Sequence, residues 1–586
     1  MIVIRYVYAA LLASIAIAAN ASGVLSPEVL AEFDRAVVIE DGTRLSADVY
    51  RPRAAGKYPV ILRRTPYDNR LDFDGEYFAR HGYAYVVADV RGRHDSQGEF
   101  YPYRDDARDG YEVIEWAAKQ SWSNGQVGTV GDSYPGFNQW LAASRTPPSL
   151  KAMVVRVAPS DYYDSPTYTG GAFNLGGRLP WAVLTSSRTL QNLYLHDWSR
   201  ALQHLPLIDA DKVIGRELGA YRDWLMHPDK DAYWSSYSMK SRWRQVNVPV
   251  YHQGGWYDEF IRGTLDAYAS MRREAGDSHA RTHQRLLIGP WTHALSVDQK
   301  VGDVDFGAGS RVDTRREALE WFDWHLRGRA PSAASPRVRV FVMGSNRWLQ
   351  LNDWPPPDAA KHEWFLTSTG SANTRLGNGR LVATTPATGG TDRYTYDPAD
   401  PVPTTGGATC CVYPNAYPEI MRWGPYDQRE VELRKDVLAY TSEPMDRDVT
   451  VVGPVTVVLH VSSSARDTDF TAKLVDVHPD GYARHLTDGI LRARYRDSAT
   501  RPTLLEPGRV YELRIDLAAT ANTFRAGHRI RLEVSSSNFP WYDRNLNTGG
   551  HPALESRFVP AQQTIHHGGE LRSRLIVSVL PDAERS

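Results

Sequence analysis

From residue 36 to about residue 330, short runs of β-branched and other apolar residues alternate with longer stretches of helical spacing. The runs are AVVIE (36–40), LSADVY (45–50), YPVILRR (58–64), YAYVVADV (83–90), VGTVG (127–131), AMVVRV (152–157), VPVYHQ (248–253) and RLLIG (285–289). Several are apolar nearly throughout, as strands covered on both faces are. Between them, YEVIEWAAK sets Tyr111, Ile114 and Ala118 on one helical face suited to packing on a sheet. Strands and helices in this order predict an α/β fold built on a parallel sheet.

The rhythm breaks twice. Between Ala158 and Asn247 no strong strand occurs, while Trp and Tyr are dense, as in YLHDWSRALQHL and YRDWLMHPDKDAYWSSY. A gap that far exceeds the usual short loop is read as a helical cap over the strand ends. Beyond EALEWFDWHLRGRAPSAASP, alternating segments such as VRVFVMG, DVTVVGPVTVVLHVSSS and HRIRLEVSSS are separated by turn residues, which predicts an antiparallel sandwich or jelly roll. At 586 residues the chain is too long for one core. The expected organisation is a hydrolase-type α/β domain over 30–157 and 248–330, a helical cap over 158–247, and a C-terminal jelly-roll β domain over 336–582. The Thr-, Gly- and Pro-rich stretch from about 384 to 408 reads as a long loop.

Residues 1–21 combine one early Arg5, an apolar stretch from Tyr6 to Ala19 and a small-x-small site at Ala19-Asn20-Ala21. This reads as a secretory signal peptide, giving an exported protein, periplasmic or secreted. Lys plus Arg number 68 against 69 for Asp plus Glu, which gives no electrostatic reason to expect nucleic acid or an anionic membrane as partner. The two cysteines are adjacent, Cys410-Cys411, and are read either as a strained vicinal disulfide or as two small buried thiols.

The chemistry centres on GTVGDSYPGFNQW, residues 128–140. A strand running into Gly-x-Ser and then a helix makes a tight turn that lifts a hydroxyl above the strand ends, beside backbone N–H groups able to stabilise an oxyanion. The second glycine, Gly136, lies three residues after Ser133, with Pro135 in its usual place. A serine hydroxyl needs a histidine to take its proton and a carboxylate to orient that histidine. VPVYHQGGWYDEF presents Asp258 and RLLIGPWTHALS presents His293, each after a strand, and the chain order Ser, Asp, His is that of an α/β-hydrolase. Each residue also has an ordinary reading: Ser133 as a turn residue, Asp258 as a helix cap, His293 as a loop residue.

GDSYPGFNQW, GGWYDEFIRGTL, LLIGPWTH, DVRGRHDSQGEFYP and YTSEPMDRDVTVVGPVTVVLHVSSSARDTDFTAKLVDVHPDG together resemble the cocaine esterase-like hydrolases (CocE/NonD family), relatives of X-prolyl dipeptidyl peptidases and α-amino acid ester hydrolases. The resemblance spans nearly the whole mature chain. It implies a serine hydrolase of ester or amide bonds working through an acyl-enzyme, with Ser133 as nucleophile, His293 as base and Asp258 as its orienter. It also implies an oxyanion hole made by the backbone N–H of Tyr134 and the hydroxyl of Tyr67. DVRGRHDSQGEF, with Asp89, Arg91, Asp95 and Gly98, reads as an ion-paired loop supporting the site.

In the amino acid ester hydrolases two acids beyond the triad aspartate hold the substrate ammonium; here Asp258 is followed by Glu259 and then by apolar Phe260 and Ile261. That favours a neutral acyl substrate, while Asp161 and Asp164 of APSDYYDSP offer another carboxylate source. The expected partner is a small ester, amide or short peptide, with no cofactor, no metal, no nucleic acid and no membrane after leader removal; the oligomeric state is open. The competing readings are an X-prolyl dipeptidyl aminopeptidase or α-amino acid ester hydrolase, and a carbohydrate-binding protein with an inert hydrolase fold.

Overall fold

The computed structural model describes residues 25–330, 336–410 and 422–581. The leader at 1–21 and Cys411, hence the Cys410-Cys411 pairing, lie outside the described residues. No described helix is long and apolar enough to cross a membrane.

Ten strands form the first sheet: β1 (Val29–Val38), β2 (Arg44–Pro52), β3 (Tyr58–Thr65), β4 (Ala84–Asp89), β5 (Ser123–Asp132), β6 (Leu150–Arg156), β7 (Val250–Tyr257), β8 (Gln284–Thr292), β9 (Val338–Val342) and β10 (Arg347–Leu351). Their spatial order is β1-β2-β4-β3-β5-β6-β7-β8-β9-β10. The centre from β4 to β9 is parallel. The edges are antiparallel, through β1–β2, β2–β4 and β9–β10. The parallel sheet expected from the sequence is therefore a mixed one: β1–β2 and β9–β10 are each joined by a short turn, which allows only antiparallel pairing, and β2 carries that sense inward onto β4. VRVFVMG, expected to open the second domain at 336, instead supplies β9 and extends this sheet.

The apolar strands are covered on both faces. Val60, Leu62, Val86, Val127, Met153 and Val155 pack with α1 (Asp106–Ala118) and α2 (Tyr134–Ala143). Their neighbours Ile61, Val87, Val130 and Val154 turn to the opposite face, among the helical residues Ala318, Trp321, Phe322 and Leu326 of Thr314–Arg327. The buried stripe of α1 is Gly110, Val113, Ile114 and Ala117. Tyr111 and Ala118, expected on that face, lie half-buried at its margins.

Between β6 and β7 the chain leaves the sheet and builds short helices, among them α3 (Leu175–Leu184), with Trp181, Trp198, Trp224 and Trp234 buried. In the C-terminal region an 11-stranded, largely antiparallel sheet includes β11 (Gly390–Tyr396), β12 (Val449–Ser463), β13 (Asp469–Val477), β14 (Ala483–Arg492), β15 (Tyr511–Phe524) and β16 (Arg529–Ser535). β11 falls inside the stretch expected to be a loop. Its side chains alternate, with Asp392, Tyr394 and Tyr396 buried and Arg393 and Thr395 exposed, so pairing overrides the weak local propensity of its flanks. The β region touches both other parts: Phe173 N–H donates to Asp543 at 2.8 Å, Gly176 N–H to the Trp541 carbonyl at 3.2 Å, and Tyr257 Oη to the His485 carbonyl at 3.1 Å.

Candidate active site

Ser133, Asp258 and His293 are each the first residue past the C-terminal end of a strand, β5, β7 and β8 respectively. Strand ends at one edge of a parallel sheet open into the same crevice, which is why residues so distant in sequence share a site. Ser133 has φ 62° and ψ −124°, a conformation few non-glycine residues hold. Its N–H donates to the carbonyls of Arg156 and Val157, both at 3.1 Å, which pins the turn. Two glycines permit it. A Cβ on Gly131 would come within 2.4 Å of the Pro135 carbonyl oxygen, and one on Gly136 within 2.6 Å of the Ala158 Cβ. The displaced second glycine of the motif thus serves the packing of α2 against the end of β6.

His293 Nδ1 lies 2.8 Å from Asp258 Oδ1. Asp258 is fully buried, and the backbone N–H groups of Glu259 and Phe260 also face its carboxylate. Burial disfavours the charged His293 ring. The Asp258 carboxylate, with smaller contributions from Glu259 and Asp132, outweighs it and holds the His293 pKa above the ordinary histidine value.

Tyr67 stands two residues beyond β3, with its hydroxyl in contact with that of Ser133. Trp181 of α3 donates from Nε1 to the Tyr67 oxygen at 3.0 Å, so the Tyr67 proton is free to be given elsewhere. Tyr134 opens α2, where first-turn N–H groups have no partner within the helix. Its phenol is anchored away from the crevice: the hydroxyl donates to Asp106 at 2.5 Å and accepts from Tyr103 N–H at 3.0 Å, while Arg64 holds Asp106 at 2.7 Å.

Four residues that local sequence pattern did not reveal border the site. Asp132, just before Ser133, lies between Arg63 at 3.2 Å and Arg156 at 3.0 Å. Burial raises its pKa, but the two guanidiniums and His293 together bring it down to about 2, so it stays ionised. Arg178 of α3 donates to both oxygens of Glu259, at 2.9 and 3.2 Å, and reaches the Tyr162 hydroxyl at 3.3 Å. Both members of this pair are buried. Burial raises the Glu259 carboxyl to about 7 despite Arg178. Arg93, buried completely, donates to the Pro66 carbonyl at 2.9 Å, the Thr185 carbonyl at 3.1 Å and the Ser187 carbonyl. Trp181 is the fourth. The sequence signals for these neighbours were general ones: the dense aromatic cap for Arg178 and Trp181, the DVRGRHDSQGEF loop for Arg93 and the serine motif itself for Asp132.

Of the DVRGRHDSQGEF loop, Arg91 pairs with Asp109 at 2.8 Å and Asp41 at 2.9 Å, whereas Asp95 lies 3.8 Å from the exposed Arg70. Asp161 is bound to Lys230 at 2.9 Å and to Ser238 at 2.5 Å, and Asp164 to Lys230 at 2.7 Å and to Lys240. Those two acids brace the cap.

The pattern of the X-Pro dipeptidyl-peptidase (S15) family matches residues 41–295, and that of the X-Pro dipeptidyl-peptidase C-terminal non-catalytic domain residues 332–576. The chain is 39% identical over 576 residues to the cocaine esterase of Rhodococcus sp. (strain MB1 Bresler), covering 93% of this chain and 97% of that protein. Among solved structures it is similar to an α-amino acid ester hydrolase, with a TM-score of 0.83 and 28% identity over 96% of this chain and 98% of that one. An aminopeptidase from the marine sediment archaeon Thaumarchaeota archaeon aligns with a TM-score of 0.83 and 26% identity, over 96% of this chain and 99% of that one.

Proposed function

The chain belongs to the CocE/NonD family of S15-type serine hydrolases, which cleave ester or amide bonds, and from the geometry of its site we propose Ser133 as nucleophile, His293 as base and Asp258 as its orienter. The His293–Asp258 hydrogen bond at 2.8 Å, beside the Ser133 turn, is the observation that carries this reading. Asp258 fixes the proton on His293 Nδ1, leaving Nε2 to take the Ser133 proton as Oγ attacks the acyl carbon. Tyr134 N–H and Tyr67 O–H then hold the oxyanion. His293 returns the proton to the leaving group, giving an acyl-enzyme. Water, deprotonated by the same imidazole, releases the acid and restores Ser133.

The acyl group we assign to this site is neutral. An α-amino substrate would need a buried carboxylate for its ammonium, and Glu259 is already paired with Arg178 through both oxygens. The amine-recognising alternative rests on that same Glu259, one residue past Asp258. Labelling with a fluorophosphonate tests the chemistry: wild type is labelled at Ser133 and Ser133→Ala is not. An unlabelled, folded wild type would favour the inert carbohydrate-binding reading. Faster hydrolysis of p-nitrophenyl butyrate than of an aminoacyl p-nitroanilide supports the neutral acyl group, and the reverse order overturns it. Residues 1–21 we read as an export leader, supported by their apolar stretch and small-residue site; N-terminal sequencing of the exported protein tests it.

A further inference from the structure

Far along the chain from the triad, β13 and β16 pair in antiparallel register, with Asp476 opposite Ile530 and Val477 opposite Arg529. One step further on, the same register sets His478 opposite His528. Side chains alternate along a strand, so Asp476 shares a face with His478. The structure agrees: the two imidazole rings are 4.3 Å apart, and His528 Nδ1 is 2.8 Å from Asp476 Oδ1. One donor atom from each of Asp476, His478 and His528 lies within 4.8 Å of the others.

Three features set this cluster apart from a surface ion pair. His478 Nε2 is buried and has no hydrogen-bond partner among the described residues, which a buried polar atom rarely tolerates. Asp476 is fully buried, and its other oxygen, Oδ2, is held by Arg484 at 2.7 Å and Asn522 at 3.3 Å. Oδ1 is thereby turned toward the rings, the kind of outer support that fixes a ligating carboxylate. Asp480 sets a further negative charge near His478, offsetting the positive charge of Arg484, while Asp448 near His528 is paired with Arg525 at 2.7 Å.

We infer that Asp476, His478 and His528 form a binding site for a divalent transition-metal cation. Two imidazoles and one carboxylate suit zinc, with a position left for water. The ion would clamp the turn after β13 to the turn before β16. It would satisfy His478 Nε2 and replace the Asp476–His528 hydrogen bond with two coordinate bonds. It takes no part in acyl transfer.

The test is zinc binding by the full-length protein, purified in chelator and titrated against a zinc-sensitive dye, with His478→Gln, His528→Asn and the double variant in parallel. Wild type is expected to bind one zinc that each single variant holds at least about tenfold more weakly. Zinc should raise the melting temperature of wild type and leave that of the double variant unmoved. Hydrolysis of p-nitrophenyl butyrate should be the same in wild type and both single variants, which also shows that the variants fold. Equal zinc uptake and equal thermal response in wild type and the folded variants would overturn the proposal.

Discussion

Arg178, on the cap, closes both oxygens of Glu259, the residue that follows Asp258 on the catalytic loop. A buried ion pair adds little net stability, but removing one partner strands the other charge. Arg178→Met should therefore destabilise the fold by about 3–5 kcal/mol. The double variant Arg178→Met/Glu259→Gln should recover most of that loss. Denaturant unfolding measures both. Arg178→Met removes the partner that holds the Glu259 carboxyl down, so the group rises above its present value of about 7, and only a substrate ammonium can draw it back to a carboxylate; the kcat/KM ratio for an aminoacyl ester over a butyryl ester should therefore rise, most at alkaline pH. An unchanged ratio would remove the pair from substrate selection.

Because His293 acts as a base only when neutral, activity should fall as pH drops through its pKa. That pKa is raised, so the acid limb of kcat/KM should have its midpoint above the ordinary ~6.5 of histidine. Asp132 is one of the carboxylates that favour the protonated ring. Asp132→Asn takes away that attraction, lowers the His293 pKa and should move the limb toward lower pH. A pH–rate profile of the two proteins decides it, and a shift toward higher pH would contradict the assignment.

Much of this site was legible because Ser133, Asp258 and His293 follow directly on strands whose apolar runs advertise burial on both faces. Their strand ends could be read before the structure was known, and the structure brings His293 and Asp258 to 2.8 Å of one another. Arg178 could not. Its partner lies 81 residues away across the cap, and no periodicity in that aromatic, irregular stretch sets its direction. The same holds for Trp181 and Tyr67, 114 residues apart. Domain boundaries blurred for a different reason: Val338–Val342 has the alternation of an antiparallel β domain, yet it finds its partner in β8, and only tertiary pairing distinguishes the two sheets.

Tyr67 can donate to an oxyanion because Trp181 already supplies its oxygen with a proton. Tyr67→Phe keeps the ring and deletes the donor. The loss should be about 2.7–4 kcal/mol of transition-state stabilisation, or roughly 10²–10³ in kcat, with KM little changed. Trp181→Phe should cost less, since it loosens the phenol without removing it. Steady-state kinetics on one ester would show the order, and a Tyr67→Phe variant as fast as wild type would leave Tyr134 N–H to be joined by another donor.

Arg93 has an unusual set of partners for a buried guanidinium. It binds three carbonyls, Pro66 on the Tyr67 loop and Thr185 and Ser187 at the end of α3, and among the described residues no carboxylate lies within ion-pair distance. Burial pulls its pKa down to about 10, opposed chiefly by the nearby Tyr67 and Tyr134 phenols. Arg93 therefore ties the Tyr67 loop to the cap that carries Trp181. Hydrogen bonds to a charged group are worth about 1.5–3 kcal/mol each, so Arg93→Met should lower stability by at least one such increment. It should also reduce kcat more than KM, because the Tyr67 donor would no longer be held in place. Arg93→Lys keeps the charge but lacks the fork that spans three carbonyls, and should restore only part of the rate. Were Arg93→Met to unfold more easily yet turn over the ester at the wild-type kcat, Arg93 would be a brace for the cap and nothing more.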